Sequence, residues 1–377
     1  MKLGVVGTSF IMDTILDNIT KTKGMKCTCI YSRTPDKAKV LMEKFNIQHF
    51  YNDFDEMCCC TNINWIYIAS PNSLHYEQAK KALLYGKNVL LEKPACVTNE
   101  QLHELVNIAK EKHLFFFEAI ISMFHPNYHI VKKLLPKIGN IKLGIGTFCQ
   151  YSSRYDALLK GEVPNVFNPK FAGGALMDLN LYNIYFFTGL FGKPDTVTYK
   201  PELYKLDTGS NIESSDITEA DNLDSLGSSS IEDNSNKIDT NGIVTLTYGN
   251  LRCECIGAKD AAGDNGVQII GDKGYIKVTP SPSNVKKVEL VLNKQKPVIY
   301  EVENNPWSYE MTGLVDIVSR NDYDKCYEML DIALNVCDVL VRARKDGGLT
   351  FQSVPINLFG KIIYITRNSY PDLIKFT

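Results

Sequence analysis

Over the first 121 residues, short β-branched runs alternate with stripes of apolar residues at helical spacing. Leu3 to Val6 predicts a strand, and Phe10, Ile11, Met12, Ile15, Leu16 and Ile19 then repeat along one face of a helix. Cys27 to Tyr31 predicts the second strand. Thr34-Pro35 supplies an N-cap and a proline at the first helical position, ahead of the buried stripe Ala38, Leu41, Met42 and Phe45. Trp65 to Ala69 and Asn88 to Leu91 read as further strands, with a helix between them that ends near Gly86. Thr98, with Gln101 three residues on, forms a capping box before the next helix. Leu114 to Phe117 closes the sheet. This alternation is the pattern of βαβ units on a parallel sheet, so residues 1–121 are expected to form a Rossmann domain of the α/β class.

After residue 122 the pattern changes. Strand-like runs at Ile141 to Tyr151, Ile243 to Tyr248, Leu251 to Ile256, Val267 to Ile270 and Tyr275 to Val278 are separated by turn pairs such as Gly249-Asn250 and Lys273-Gly274. These are antiparallel hairpin signals, and they predict an α+β domain over 122–352. One of its helices opens at Gly173-Gly174 and runs to about Thr188, and another covers Tyr323 to Arg344. Residues 207–241 stand apart, with nine acidic residues, one lysine, eight serines and no aromatic side chain. Such a segment buries too little apolar area to offset its ordering entropy, and reads as a flexible surface insertion. Residues 353–377 form an extension to which the pattern assigns no role.

The 377 residues suit two domains with buried cores. A net charge of −2 argues against a nucleic-acid partner. The acidic segment carries −8, which leaves +6 on the remainder, compatible with an anionic cofactor. The longest apolar stretch, His113 to Phe124, is broken by Glu118 and is too short to span a bilayer, so no membrane association is expected. The first strand begins almost at Met1, and a cytosolic location is expected. Eleven cysteines without paired CxxC spacing indicate neither a disulfide framework nor a zinc site. Cys27 and Cys29, like Cys253 and Cys255, lie two apart on strands and read as small buried hydrophobes.

Gly7-Thr8-Ser9-Phe10-Ile11-Met12 occupies the turn after the first strand, where a dinucleotide fingerprint G-x-G-x-x-G/A belongs. Only the first glycine is present. Strand-glycine-helix turns also occur as plain connections, but here the turn sits within a full βαβ series, and the helix N-terminus would hold a pyrophosphate on free backbone amides. The second strand ends Tyr31-Ser32-Arg33, with no carboxylate for a ribose 2′-hydroxyl before Asp36. A hydroxyl followed by a guanidinium suits a 2′-phosphate, favouring NADP over NAD, whereas a solvated surface arginine is the plain alternative.

Further motifs follow in order. Ile66-Tyr67-Ile68-Ala69-Ser70-Pro71-Asn72-Ser73-Leu74-His75 and Gly86-Lys87-Asn88-Val89-Leu90-Leu91-Glu92-Lys93-Pro94 resemble the Gfo/Idh/MocA oxidoreductases. Glu118-Ala119, His125-Pro126 and Gly173-Gly174-Ala175-Leu176-Met177-Asp178-Leu179-Asn180-Leu181-Tyr182 carry the likeness into the second domain. The texture is nearest the dihydrodiol and xylose dehydrogenase branch, in which a tyrosine commonly replaces the histidine of the sugar dehydrogenases. The sequence departs from the family pattern at Ser9, at Met123 (often arginine) and at Asn180 (usually glycine), which leaves substrate identity open.

The resemblance implies a Rossmann domain followed by a large open sheet used for homodimerisation, with a sugar, polyol or cyclic diol as substrate. It implies Lys93, Asp178 and Tyr182 as catalytic residues. Lys93 would hold the reacting oxygen, and Tyr182 would exchange the proton with its pKa lowered by the neighbouring ammonium. A buried tyrosine bonded to an aspartate is the plain alternative. Cofactor contacts are implied for Gly7, Thr8, Ser9, Phe10, Ile11, Ser32, Arg33, Ala69, Pro71, Asn72, His75, Glu92 and Lys93, with His75 also open to a purely structural role. No metal site is expected. Tyr151-Ser152-Ser153-Arg154-Tyr155 could contact a polyol, or Arg154 could serve a structural ion pair. A non-catalytic NADP-binding regulator of the same fold, and a glycosidase working through a tightly held nicotinamide, remain as alternatives.

Overall fold

The computed structural model describes residues 1–206, 236–303 and 305–349; most of the acidic segment (207–235) and the 353–377 extension lie outside the described residues. The first domain runs β1 (Lys2–Val6), α1 (Phe10–Lys21), β2 (Lys26–Tyr31), α2 (Pro35–Phe45), β3 (His49–Tyr51), α3 (Phe54–Cys59), β4 (Trp65–Ile68), α4 (His75–Leu84), β5 (Asn88–Glu92), α5 (Asn99–Glu111) and β6 (Phe116–Ala119). Its six strands pair in parallel in the order β3-β2-β1-β4-β5-β6, a doubly wound sheet. Because the order reverses between β1 and β4, a crevice opens beyond their C-terminal ends. Helices on both faces explain why strands such as β4 are apolar at every position and wholly buried. Met12, Ile15, Leu16 and Ile19 of α1 have no exposed surface. Trp65, Phe115 and Phe117 form a cluster of near-parallel rings, with Trp65 6.2 Å from each phenyl ring and those two 6.0 Å apart.

The second domain continues with α6 (Ile121–Phe124), α7 (Pro126–Leu134), β7 (Ile141–Cys149), α8 (Tyr155–Leu159), α9 (Leu181–Phe191), β8 (Thr196–Lys205), β9 (Lys237–Tyr248), β10 (Leu251–Ala258), β11 (Gly266–Gly271), β12 (Gly274–Thr279), β13 (Lys287–Leu292), β14 (Val298–Glu301), α10 (Pro306–Ser319) and α11 (Tyr323–Asp346). Its eight strands are ordered β14-β13-β12-β11-β7-β10-β9-β8. Every pair is antiparallel except β7 with β10. Helices α9 and α11 pack on one face. The registers align Leu143, Ile243, Tyr275 and Ile299 on the other, where all four are exposed. Helix α11 ties the domains together: the Cys326 thiol donates to the Phe116 carbonyl at 3.2 Å, and Arg344 donates to that of Val97.

Several elements differ from the pattern's expectation. Strand β3 has three residues and β14 four, too few for a period to show. Strand β8 contains Pro201, which argued against a strand but is tolerated because β8 lies at the sheet edge. The helix expected from Gly173 begins only at Ala175, with a π-helical turn at Leu176–Asn180 that passes into α9. The last residues of the supposed insertion, Lys237 to Asn241, belong to β9. Among them, Asp239 is fully buried and accepts from the Leu176 amide at 2.6 Å and the Tyr199 hydroxyl at 2.8 Å. It therefore anchors the π turn.

Asp239→Ala removes both bonds and leaves a buried amide without a partner. A loss of roughly 2–4 kcal/mol in unfolding free energy is expected by urea denaturation. A loss below ~0.5 kcal/mol would contradict this anchoring role.

Candidate active site

Because strands β1, β2, β4 and β5 are parallel, the residues that follow them, Gly7, Ser32, Ala69 and Lys93, collect along one sheet edge. Gly7 has φ +111°, and a Cβ there would lie 2.5 Å from the Ala69 carbonyl oxygen, so the turn requires glycine. Ser9 caps α1 in an extended conformation without spending its hydroxyl on the helix, so no cap side chain occupies the first-turn amides. Met12, at the third fingerprint position, is fully buried and accommodated. Thr8 and Ile11 are half-buried beside the turn.

Ser32 is buried, and its hydroxyl accepts from the Thr34 amide at 3.0 Å and donates to the Thr34 carbonyl at 3.1 Å, so it is spent on its own turn, which corrects its reading as a cofactor contact; Arg33 is exposed. The Gly7 cradle, the open helix start and the exposed guanidinium fit a dinucleotide pyrophosphate and a charged ribose substituent. Among the described residues, no group of three His, Cys, Asp or Glu could hold a metal ion.

One further residue expected to contact the cofactor is taken up by the main chain instead. His75 is fully buried, with Nδ1 2.9 Å from the Pro94 carbonyl oxygen and Nε2 2.9 Å from that of Ser70. Both nitrogens are spent on the main chain, and burial lowers the ring's pKa to about 4. His75 thus braces the turn after Lys93, which corrects its reading as a cofactor contact. The Asn72 side-chain amide donates to the Ala172 carbonyl at 2.9 Å, linking the Pro71 loop to the approach of the π turn. Glu92 accepts from the Tyr67 hydroxyl at 2.7 Å; burial raises its pKa, against the effects of Tyr67 and Lys93.

Lys93 meets the second domain. Its Nζ lies 2.8 Å from Asp178 Oδ1, donates to the Asp178 carbonyl at 3.1 Å, and sits 5.2 Å from the centre of the Tyr182 ring. The other oxygen, Asp178 Oδ2, accepts from Lys259. Burial opposes the charge on Lys93, but Asp178, Tyr182 and Glu92 outweigh it and hold the ammonium above the usual lysine range. Burial would likewise raise Asp178, yet Lys93 and Lys259 pull it well below the usual carboxylate range. For Tyr182, burial dominates and raises the phenol, with Lys93 opposing. The ammonium therefore does not bring the phenol below its ordinary value, contrary to expectation.

Residues 1–119 match the model of the family described as oxidoreductases with an NAD-binding Rossmann fold. The NADP(+)-dependent scyllo-inositol 2-dehydrogenase of Bacillus subtilis is 28% identical over 361 residues, 93% of this chain and 98% of that protein. Over its first 119 residues the chain is therefore similar to this oxidoreductase family. A trans-1,2-dihydrobenzene-1,2-diol dehydrogenase of Xenopus tropicalis is 30% identical over 180 residues, about half of each chain. Among solved structures, a 3-ketoreductase from Actinomadura kijaniata in complex with NADP and TDP-benzene shares the fold. Its TM-score is 0.73 at 18% identity, over 92% of this chain and 97% of that one.

The structure brings Lys93, Asp178 and Tyr182 together and adds Lys259, which directly follows β10 and which the sequence reading did not name. Lys93 was singled out by the Glu92-Lys93-Pro94 motif that carries the resemblance, whereas Lys259 stands in no such motif and the sheet edge it would reach was not readable. Ser152 donates its amide to the Lys259 carbonyl at 2.8 Å, which puts the Tyr151–Tyr155 segment beside the cluster, with Arg154 exposed. Met123 lies elsewhere, lining a separate cavity of about 420 Å³ with Phe124, Gly189 and Ile317.

Glu118 was also missed as a support. It accepts from the Ala95 amide at 3.0 Å and from the Tyr185 hydroxyl at 2.5 Å, and burial raises its pKa to about 7. With a folded pKa above the unfolded one, the folded state binds the extra proton between about pH 4.5 and 7, and stability falls as pH rises through that window. Glu118→Gln removes this dependence while keeping the shape. The stability of the wild type relative to this variant is expected to drop by on the order of 3 kcal/mol between pH 4.5 and 8. Parallel calorimetric curves for the two proteins would contradict it.

Proposed function

We propose that this oxidoreductase is NADP-dependent and transfers a hydride between the nicotinamide and the secondary carbinol carbon of a sugar, polyol or cyclic trans-diol. The observation that carries this reading is the ammonium of Lys93, paired with Asp178 and set over the Tyr182 ring, at the C-terminal edge of the nucleotide-binding sheet. The nicotinamide supplies the redox chemistry when bound. Lys93 donates to the substrate oxygen and stabilises the negative charge that develops there. Tyr182, kept a neutral phenol by burial, delivers a proton to that oxygen in the reductive direction. Asp178 orients Lys93. The exposed Arg33 supports a 2′-phosphate, in keeping with the NADP of the inositol dehydrogenase and of the ketoreductase complex.

The decisive assay follows absorbance at 340 nm with NADP and a panel of inositols, pentoses, hexoses and trans-cyclic diols. Lys93→Met is expected to abolish turnover and still bind NADPH. Arg33→Ala is expected to weaken NADPH by roughly 10-fold or more while leaving NADH binding unchanged. Tight NADPH binding with no turnover on any substrate would sink the enzyme reading and favour a regulator.

The exposed face bearing Leu143, Ile243, Tyr275 and Ile299 supports a homodimer through the open sheet. All eleven cysteines are free thiols, which supports a cytosolic, reducing location. No helix among the described residues is long and apolar enough to cross a membrane. Ile243→Lys is expected to shift the sedimentation coefficient from dimer to monomer; a wild-type monomer at micromolar concentration would exclude this interface.

A further inference from the structure

Asp178 is claimed by two lysines of very different exposure. The Lys93 side chain keeps 16% of its surface open and Asp178 32%, whereas Lys259 keeps only 5%. A ligand entering the crevice therefore reaches Lys93 and the outer part of Asp178, but not Lys259. The Lys259 stem is fixed on three sides. Its backbone amide donates to the Thr240 carbonyl at 2.8 Å, its carbonyl accepts from Ser152, and its ammonium lies 5.8 Å from the centre of the Phe167 ring. Nothing in the proton or hydride transfer uses it directly, yet a sealed ammonium is costly to bury unless its pairing serves the fold or the site.

We propose that Lys259 is a positioning residue: by holding one oxygen of Asp178 it divides that carboxylate between two ammonium groups, so that Lys93 is oriented by Asp178 without being neutralised by it. With a single lysine, the carboxylate would be free to chelate Lys93 with both oxygens and cancel the charge needed at the substrate oxygen. With Lys259 in place, Lys93 keeps one charged bond to Oδ1 and one to the Asp178 carbonyl, leaving a donor for the reacting oxygen. The same arrangement gives the two lysines and one carboxylate a net positive charge. The other titratable groups facing this cluster are Glu92 on β5, Tyr182 on α9, the buried Glu310 on α10 through Glu92 and Tyr182, Glu118 on β6 and His75 on α4 toward Lys93, and Asp239 on β9 toward Lys259. Burial pushes up Glu92, Glu310, Glu118 and Asp239. This inference rests on the catalytic reading of Lys93, and its test has an arm that does not depend on turnover.

The test compares wild type, Lys259→Met, Lys259→Gln and Lys259→Arg, all checked for an unchanged urea midpoint. The carboxyl carbon of Asp178 is followed by NMR in protein labelled with 13C-aspartate and assigned through Asp178→Asn. Wild-type Asp178 is expected to stay ionised to the acid limit of the folded protein, and loss of the Lys259 charge is expected to move its titration up by about one pH unit or more. In the assay above, Lys259→Met or Lys259→Gln is expected to lower kcat on the order of 10- to 100-fold, with NADPH affinity within about twofold of wild type. The acid limb of kcat/KM should move up with the Asp178 titration. Lys259→Arg is expected to restore most of both.

An Asp178 titration unmoved in Lys259→Met and Lys259→Gln overturns the proposal, whatever the activity shows. A fall in kcat equal in all three variants, arginine included, also overturns it, because a packing role alone would give that result. If no substrate turns over even in wild type, the enzyme reading fails, and the NMR titration still decides whether Lys259 controls Asp178.

Discussion

An ammonium from one domain and a carboxylate from the other meet at 2.8 Å inside the protein, and much of the surrounding structure fixes where they meet. Charges removed from water must be paired in good geometry, or the cost of burying them returns as instability. Here both ends are pinned through main-chain contacts. The chain after Lys93 is held by His75 on the Pro94 carbonyl and by Glu118 on the Ala95 amide. The turn that carries Asp178 is held by Asp239 on the Leu176 amide and by Asn180 on the Cys255 carbonyl at 2.9 Å. Neither domain completes the site alone, and α11 bonds to the first domain at both of its ends, near Phe116 and near Val97.

The π-helical turn at Leu176–Asn180 makes this meeting possible at a residue position the family usually gives to glycine. Asn180 is buried and donates to Cys255, and its own Oδ1 accepts from Asn183 at 3.0 Å. Room for that side chain comes from across the sheet: a Cβ on Gly257 would lie 2.6 Å from the Asn180 Cβ. The turn also sets Asp178 and Tyr182 so that Lys93 touches the carboxylate of one and the ring of the other, an arrangement that plain four-residue helical spacing suggests but does not guarantee.

How much of this was legible follows from the range of the forces involved. The first domain was readable because each strand is buried on both faces and each helix on one, so local periodicity carries the topology. Its exceptions, β3 and α3, are short and lie toward one edge of the sheet. Lys93 was legible because it directly follows a strand within a recognisable motif. Lys259 also follows a strand but stands in no such motif, and its meaning depends on β10 pairing in parallel with β7, a contact across more than a hundred residues that no window of sequence displays. Asp239 was misread for a similar reason. Its neighbours on the N-terminal side are acidic and serine-rich, and composition averaged over the segment hid a strand that begins at Lys237.

The charges around Tyr182 bear on the direction in which the site works best. Burial raises the phenol first; the nearby carboxylates Glu92, Asp178 and Glu310 raise it further, and Lys93 alone among the named neighbours lowers it. A phenol so placed is a proton donor at neutral pH, and becoming a phenolate would cost it the energy of a buried anion. On the proposed reading, the Lys93 ammonium at the open end of this cluster favours negative charge on a substrate oxygen next to it. On that reading of the site, a neutral acid and an ammonium at one point suit reduction of a carbonyl, where negative charge grows on oxygen as hydride arrives and a proton then quenches it. Oxidation of an alcohol needs the reverse, a base at that point, and the burial of Tyr182 works against supplying one.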